Sequence, residues 1–127
     1  MKKVELNSHG VNKAIKSTIL SDEKMREIGF TDYAEDKWYF CKSIEFPKNK
    51  RYRFFYISFN VTIPKDGSDI RIDVLNEDFC QPYDYQHMLH YSPNFEPALI
   101  IREQVEKWMK YLQDNGVLSG HEPNDYI

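Results

Sequence analysis

Every second residue from Phe55 to Ile63 is apolar: Phe55, Ile57, Phe59, Val61 and Ile63, with Ser58, Asn60 and Thr62 between them. Period-two alternation marks a strand with one buried face. Carried back to Arg51, the same register places Tyr52, Phe54 and Tyr56 on the other face. The first half of this strand is therefore expected to be covered on both sides. The thirteen residues Arg51–Ile63, fully extended, span roughly 43 Å, whereas a compact domain of this length is only about 36 Å across. Either a bulge bends the strand or one end projects, and a projecting ribbon of exposed aromatics would normally meet a second subunit.

The flanking segments follow the same logic. Trp38, Phe40, Ile44 and Phe46 share one face of a strand, with Lys42 as the exception, while Tyr39, Cys41, Ser43 and Glu45 share the other. Ile70, Ile72 and Val74 alternate with Arg71, Asp73 and Leu75 in a third strand. Polar turns at Pro47–Lys50 and Pro64–Ser68 make the three strands an antiparallel meander. Val11, Ala14, Ile15, Thr18 and Ile19 recur at helical spacing, which predicts a helix over His9–Leu20. Ser21 then caps a shorter helix, Asp22–Ile28, whose acidic first turn suits the helix dipole, and Gly29 supplies the left-handed stop. A short helix is expected from Pro82 to His90, with the proline in its first turn. The longest helix starts at Pro93–Pro97 and carries Leu99, Ile101, Val105, Trp108, Met109 and Leu112 as its apolar stripe, with Gly116 ending it at about Asn115. Val117 and Leu118 are candidates for docking, and a loose tail is expected from about residue 119. The fold class implied is α+β in one domain, 1–127. Its three-or-more-stranded antiparallel meander packs against an N-terminal helix and the long C-terminal helix.

Composition narrows the function. Nine Tyr, eight Phe and two Trp supply both a core and stacking surfaces. A net charge of −3 argues against a sequence-independent binder of nucleic-acid polymers, which needs a cationic field. It leaves room for a local basic pocket around one small anion. Cys41 and Cys80 stand in no paired motif, and no leader, membrane span or lipidation motif is visible, so a cytoplasmic protein with free thiols and no membrane partner is expected.

Four groups of residues carry candidate chemistry. His87 and His90 can share a helix face, but no HExxH-like frame accompanies them, so ordinary histidines are the better reading and no metal is expected. Asp69, Asp73, Glu77 and Asp78 can bind a cation or share acid–base work, yet a wet, charged strand face explains them more simply. Cys41 lies mid-strand with no nearby histidine and reads as a small buried hydrophobe. Lys42, Arg51, Arg53 and Arg71 come from three strands, interleaved with Tyr39, Tyr52, Tyr56, Phe79, Tyr83 and Tyr85. Arg102, in the second turn of the long helix, opposes that helix's dipole unless an anion joins it. Arginines for phosphate and rings for a base are what a nucleotide pocket needs. The plain alternative is a sheet surface whose cations pair with Asp73, Glu45 or Glu103.

A family resemblance adds to this reading. Lys24–Phe30 (Lys-Met-Arg-Glu-Ile-Gly-Phe), Lys37–Ser43 (Lys-Trp-Tyr-Phe-Cys-Lys-Ser), Gln81–Gln86 (Gln-Pro-Tyr-Asp-Tyr-Gln) and Gly116–His121 (Gly-Val-Leu-Ser-Gly-His) resemble the phage anti-Thoeris sponge proteins, in an overall pattern spanning most of the chain. The resemblance implies a small α+β protein without catalytic activity or cofactor, assembled as a dimer or higher homo-oligomer. Such proteins hold the cyclic ADP-ribose isomer made by a bacterial TIR-domain protein, and some also hold cyclic oligonucleotides, so that a defence effector stays off. The ligand residues expected, Arg71, Arg102, Arg53, Lys42, Tyr56, Phe79, Tyr83 and Tyr85, come from the basic and aromatic constellation and not from the family. A phage or bacterial protein-binding module or inhibitor without a nucleotide ligand is the alternative, and a small nucleotide-processing enzyme using Asp73, Glu77, Asp78 or His87 is a third.

Overall fold

The computed structural model describes residues 15–32, 35–47, 56–66, 70–76, 81–82 and 85–120, with the backbone alone at 81–82 and 85–87. Among the described residues, nine elements follow in order: β1 (Lys16–Ser17), α1 (Asp22–Ile28), β2 (Lys37–Ser43), β3 (Ile57–Pro64), β4 (Arg71–Asn76), β5 (Gln81–Pro82), α2 (Tyr85–Tyr91), α3 (Glu96–Asp114) and β6 (Leu118–Ser119). The fold is α+β, with β2-β3-β4-β5 as an antiparallel sheet and β1-β6 as a second, two-stranded one.

The alternation of β3 determines which face is buried. Ile57, Phe59, Val61 and Ile63 are buried together with Trp38 and Phe40 of β2 and Ile72 and Val74 of β4. The register makes these residues neighbours: Phe40 lies opposite Val61, which lies opposite Ile72. Ile101, Val105, Met109 and Leu112 of α3 close this core, with Met25 and Ile28 of α1 beside them. The Phe40 ring sits at the junction, meeting Trp108 and Tyr111 of α3 at centroid distances of 5.8 and 6.1 Å. Tyr111 also donates its hydroxyl to the Ile28 carbonyl at 2.6 Å, tying α3 to the end of α1.

The helix punctuation is as expected. The Ser21 hydroxyl accepts from the Lys24 N–H at 3.2 Å. Gly29 takes φ 125°, and a Cβ there would stand 3.3 Å from the Phe40 ring, so both backbone and packing require glycine. α3 ends at Asp114 with Asn115 as its cap, Gly116 follows at φ 81°, and the Val117 N–H donates to the Leu112 carbonyl.

Two elements differ from expectation. The helix predicted over His9–Leu20 is absent from its described part: Ile15 is buried, Lys16–Ser17 pair with Leu118–Ser119, and the Thr18 N–H donates to the Val117 carbonyl. Ile15, Thr18 and Ile19 are β-branched, and long-range pairing with the chain's end outweighs a helical periodicity spread over few residues. Val117 and Leu118 are correspondingly buried, so the chain is docked through Leu118. Pro82 opens no helix. It pairs with Leu75 in the edge strand β5, a place where its missing N–H costs no ladder bond, and α2 begins at Tyr85. The central strand is described from Ile57 to Pro64 only, so the expected aromatic row at Tyr52 and Phe54, with Phe55, lies outside the described residues. So do Met1–Ala14 and the tail beyond Gly120.

Two polar devices hold the sheet's margins. At the β2 edge, the Glu45 N–H donates to the Gln104 side-chain carbonyl at 2.8 Å and the Gln104 amide donates to the Glu45 carbonyl. One glutamine of α3 thus replaces a missing strand neighbour. Gln104→Ala is expected to cost about 1–2 kcal/mol in urea denaturation, since two bonds are lost at an exposed edge. At the other end, Asp32 accepts from Arg26 at 3.1 Å and from Lys65 at 3.2 Å, and both cations lie over the Trp38 ring. The hydrogen bond from Lys65, with the charge of Arg26 beside it, holds the Asp32 carboxyl below its ordinary range. A carboxyl depressed in the folded state contributes stability above its unfolded value and loses it as pH falls through the folded value. Asp32→Asn should therefore flatten the acid limb of the stability profile below about pH 4, read by denaturation at a series of pH values.

Candidate functional site

The face of the sheet turned away from α3 is built in rows by the strand register. Thr31, Tyr39, Thr62 and Arg71 form one row, Cys41, Asn60 and Asp73 the next, and Ser43, Ser58 and Leu75 the third. Thr31 joins through a two-way backbone bridge to Tyr39, 2.8 Å in each direction. Rows lie roughly 7 Å apart along the strands, and neighbouring strands about 4.8 Å apart.

Burial changes across this face. Arg71 keeps 69% of its side chain exposed, and Cys41 and Ser43 are exposed on the β2 side. Ser58 is only 1% exposed and Asp73 only 8%. The second side of β3 is thus covered at Ser58, while Tyr56, from the aromatic row expected to be covered, is exposed. The acidic strand face expected to be wet is closed at Asp73, which is placed inward by its position on the interior strand β4, beside Asn60 of β3. Cys41, expected to be buried, is exposed on the edge strand β2, on the side turned away from α3.

Arg71 and Asp73 are two residues apart on one strand, so their side chains share a face. The Arg71 Nη2 atom stands 3.5 Å from Asp73 Oδ1, an ion pair longer than a hydrogen bond. That oxygen is sealed from water and accepts no hydrogen bond. Asn60, directly across from Asp73, turns its amide away to the Ser58 hydroxyl at 2.8 Å. A nearly buried carboxylate therefore braces a guanidinium whose side chain is largely exposed, with Tyr39 two strands away in the same row.

The remaining predicted ligand residues do not converge here. Tyr56 is 57% exposed and continues this face, but it lies six residues along β3 from the Arg71 row, roughly 20 Å, beyond the span of one mononucleotide. Lys42 sits opposite Phe59 on the helix-covered face, its ammonium 5.0 Å from the Trp108 ring centroid and 5.4 Å from that of Phe40. Arg102 is half-buried on α3, so the sheet stands between it and Arg71. Arg51, Arg53, Phe79 and Tyr83 lie outside the described residues, as do Asp69, Glu77, Asp78 and Cys80, while Tyr85 and His87 are placed by their backbone in α2. Sequence reasoning places Ser58 and Asn60 on this face without giving them a part in a site, and passes over Lys107, whose ammonium shares the Trp108 ring with Lys42 at 4.7 Å. The i, i+2 pairing of Arg71 with Asp73 was the legible signal. Among the described residues, no group of three or more His, Cys, Asp or Glu is placed to hold a metal ion, and no helix is long and apolar enough to cross a membrane.

No protein-family model and no curated protein matches the sequence. Among solved structures, the chain is similar to the crystal structure of a DUF1831 family protein from Lactobacillus plantarum. The TM-score is 0.63 over 94% of this chain and 93% of the other, at 12% identity. The likeness is one of fold alone: the same course of strands and helices is taken by a chain with few residues in common.

Proposed function

We propose that this protein binds a cyclic nucleotide signal without converting it, and so withholds the signal from a bacterial defence effector. The ligand implied by the sequence resemblance is a cyclic ADP-ribose isomer. The observation that carries the reading is the exposed Arg71 guanidinium, braced by a nearly buried Asp73 on the sheet face turned away from α3. A guanidinium held from behind loses little freedom when a phosphate docks on its outer N–H groups, which favours tight binding of an oxyanion. Tyr39, in the same row, offers a ring for a base. Holding a ligand without turnover requires fixed donors and acceptors and no activated nucleophile, which suits this assortment of Thr, Asn, Ser, Arg and Asp. The exposed Tyr56 ring supports assembly of further copies around that end of the sheet. The setting proposed is the cytoplasm of a bacterial host.

Calorimetry with cyclic ADP-ribose isomers, followed by denaturation and recovery of the ligand, tests this directly. Heat of binding and release of intact ligand are expected. No heat, or recovery of cleaved ligand only, rejects the proposal.

A further inference from the structure

We infer that Lys42 and Lys107, gathered on the indole of Trp108, form a two-cation seat for a phosphate dianion, free in solution or carried by a small monoester. The seat lies at the β2 edge where α3 packs on it, across the sheet from Arg71, and stands independently of the function proposed above.

Lys42 is out of place on its strand. Trp38, Phe40 and Ile44, on the same helix-covered side, are buried, and the buried Phe59 lies opposite it. A lysine there is half-buried and gives up part of its hydration. Two rings offset that loss: the ammonium lies 5.0 Å from the Trp108 ring centroid and 5.4 Å from that of Phe40. The Lys107 ammonium then approaches the same indole at 4.7 Å. One ring thus gathers two cations, which cannot be farther apart than those two Trp108 distances laid end to end. Like charges so placed repel each other. Among the described residues, neither ammonium makes an ion pair or a hydrogen bond, although Glu103 stands one helical turn before Lys107 at a spacing that favours a pair.

An ammonium carries three N–H donors, and a ring face attracts its charge without satisfying them all. Idle donors and uncompensated charge together point to an oxyanion. A phosphate dianion matches the pair two charges to two, with oxygens enough to accept from both ammoniums. Chloride or a single carboxylate leaves one cation unmatched. Because the indole already holds both side chains, less freedom is lost when the anion docks. The approach is open, since Lys107 is exposed and Trp108 only half-buried.

The test is calorimetry on the full chain with inorganic phosphate and with glycerol phosphate, at constant ionic strength balanced by chloride. The titrations are repeated on Arg71→Ala, so that a phosphate on the other face does not contribute. One saturable site per chain that persists in Arg71→Ala is expected, and the tighter probe tells which carrier the seat prefers. Lys42→Gln and Lys107→Gln should each weaken it by roughly tenfold or more, the loss of one charged donor. The exposed Lys107 keeps the test decisive even where Lys42→Gln does not fold. No saturable binding of either probe overturns the inference, as does binding that Lys107→Gln leaves unchanged. Binding abolished in a folded Arg71→Ala chain also overturns it, by moving the phosphate to the other face. Cyclic ADP-ribose isomers that fail to bind a chain still holding phosphate would remove the function proposed above and leave this site standing.

Discussion

Phe59→Ala is expected to destabilise the fold by roughly 3–5 kcal/mol, the range for truncating a buried phenylalanine. The ring is 0% exposed and occupies the middle of β3, an interior strand of the sheet. It lies between Lys42 of β2 and Val74 of β4 in the register and meets the Phe40 ring edge-on at 6.4 Å. Collapse into the vacated space is resisted on both sides, because the β ladders hold the backbone and the α3 stripe of Ile101, Val105 and Met109 is anchored at Tyr111 and Gln104. The loss therefore includes a cavity term as well as the lost burial. Domains of this size are stable by only about 5–15 kcal/mol, so a large share of the folded population is at stake. Urea denaturation measures it, and Phe59→Leu should recover more than half of the loss. A change below about 1 kcal/mol would mean that this strand is not the centre of the core.

Arg71→Ala should produce the largest effect on binding. Hydrogen bonds to charged groups contribute about 1.5–3 kcal/mol, which corresponds to roughly a 10- to 150-fold loss of affinity for a phosphate-bearing ligand. Loss of an exposed strand residue ordinarily leaves stability nearly unchanged, but the pairing of Arg71 with Asp73 makes this one different. Removing the guanidinium leaves Asp73, 8% exposed, without its counter-charge, and an unpartnered buried group costs about 1–3 kcal/mol. The outward exposure of Arg71 places the expected loss at the lower end of that range. Calorimetry and urea denaturation on the same variant separate the two effects. Binding that survives Arg71→Ala unchanged would move the phosphate site elsewhere. Loss of the fold would make Arg71 a structural residue.

The local signals that proved reliable share one property: each acts over a few residues. The Ser21 cap, the glycine stops at Gly29 and Gly116, and the period-two runs in β2, β3 and β4 depend on backbone sterics and on one element's own faces. Where the sequence misleads, distant partners intervene. Ile15–Leu20 carries part of a helical apolar stripe, yet Ile15 is buried and Lys16–Ser17 are drawn into a strand by residues more than a hundred positions away. Lys42 breaks the pattern of an apolar face, and the sequence does not say that Trp108 waits above it. Pooling Lys42, Arg71 and Arg102 as one basic constellation ignores the sheet between them.

What the residues determined on their own is the antiparallel meander, the long amphipathic helix and the sharing of one face by Arg71 and Asp73, because alternation and helical periodicity are geometric properties of the backbone. Tertiary structure alone decided that Asp73 and Ser58 would be closed to water, that Cys41 would be open to it, and that the cations would be divided between two faces. Burial and proximity depend on which segments pack over a strand, and that choice belongs to the whole chain.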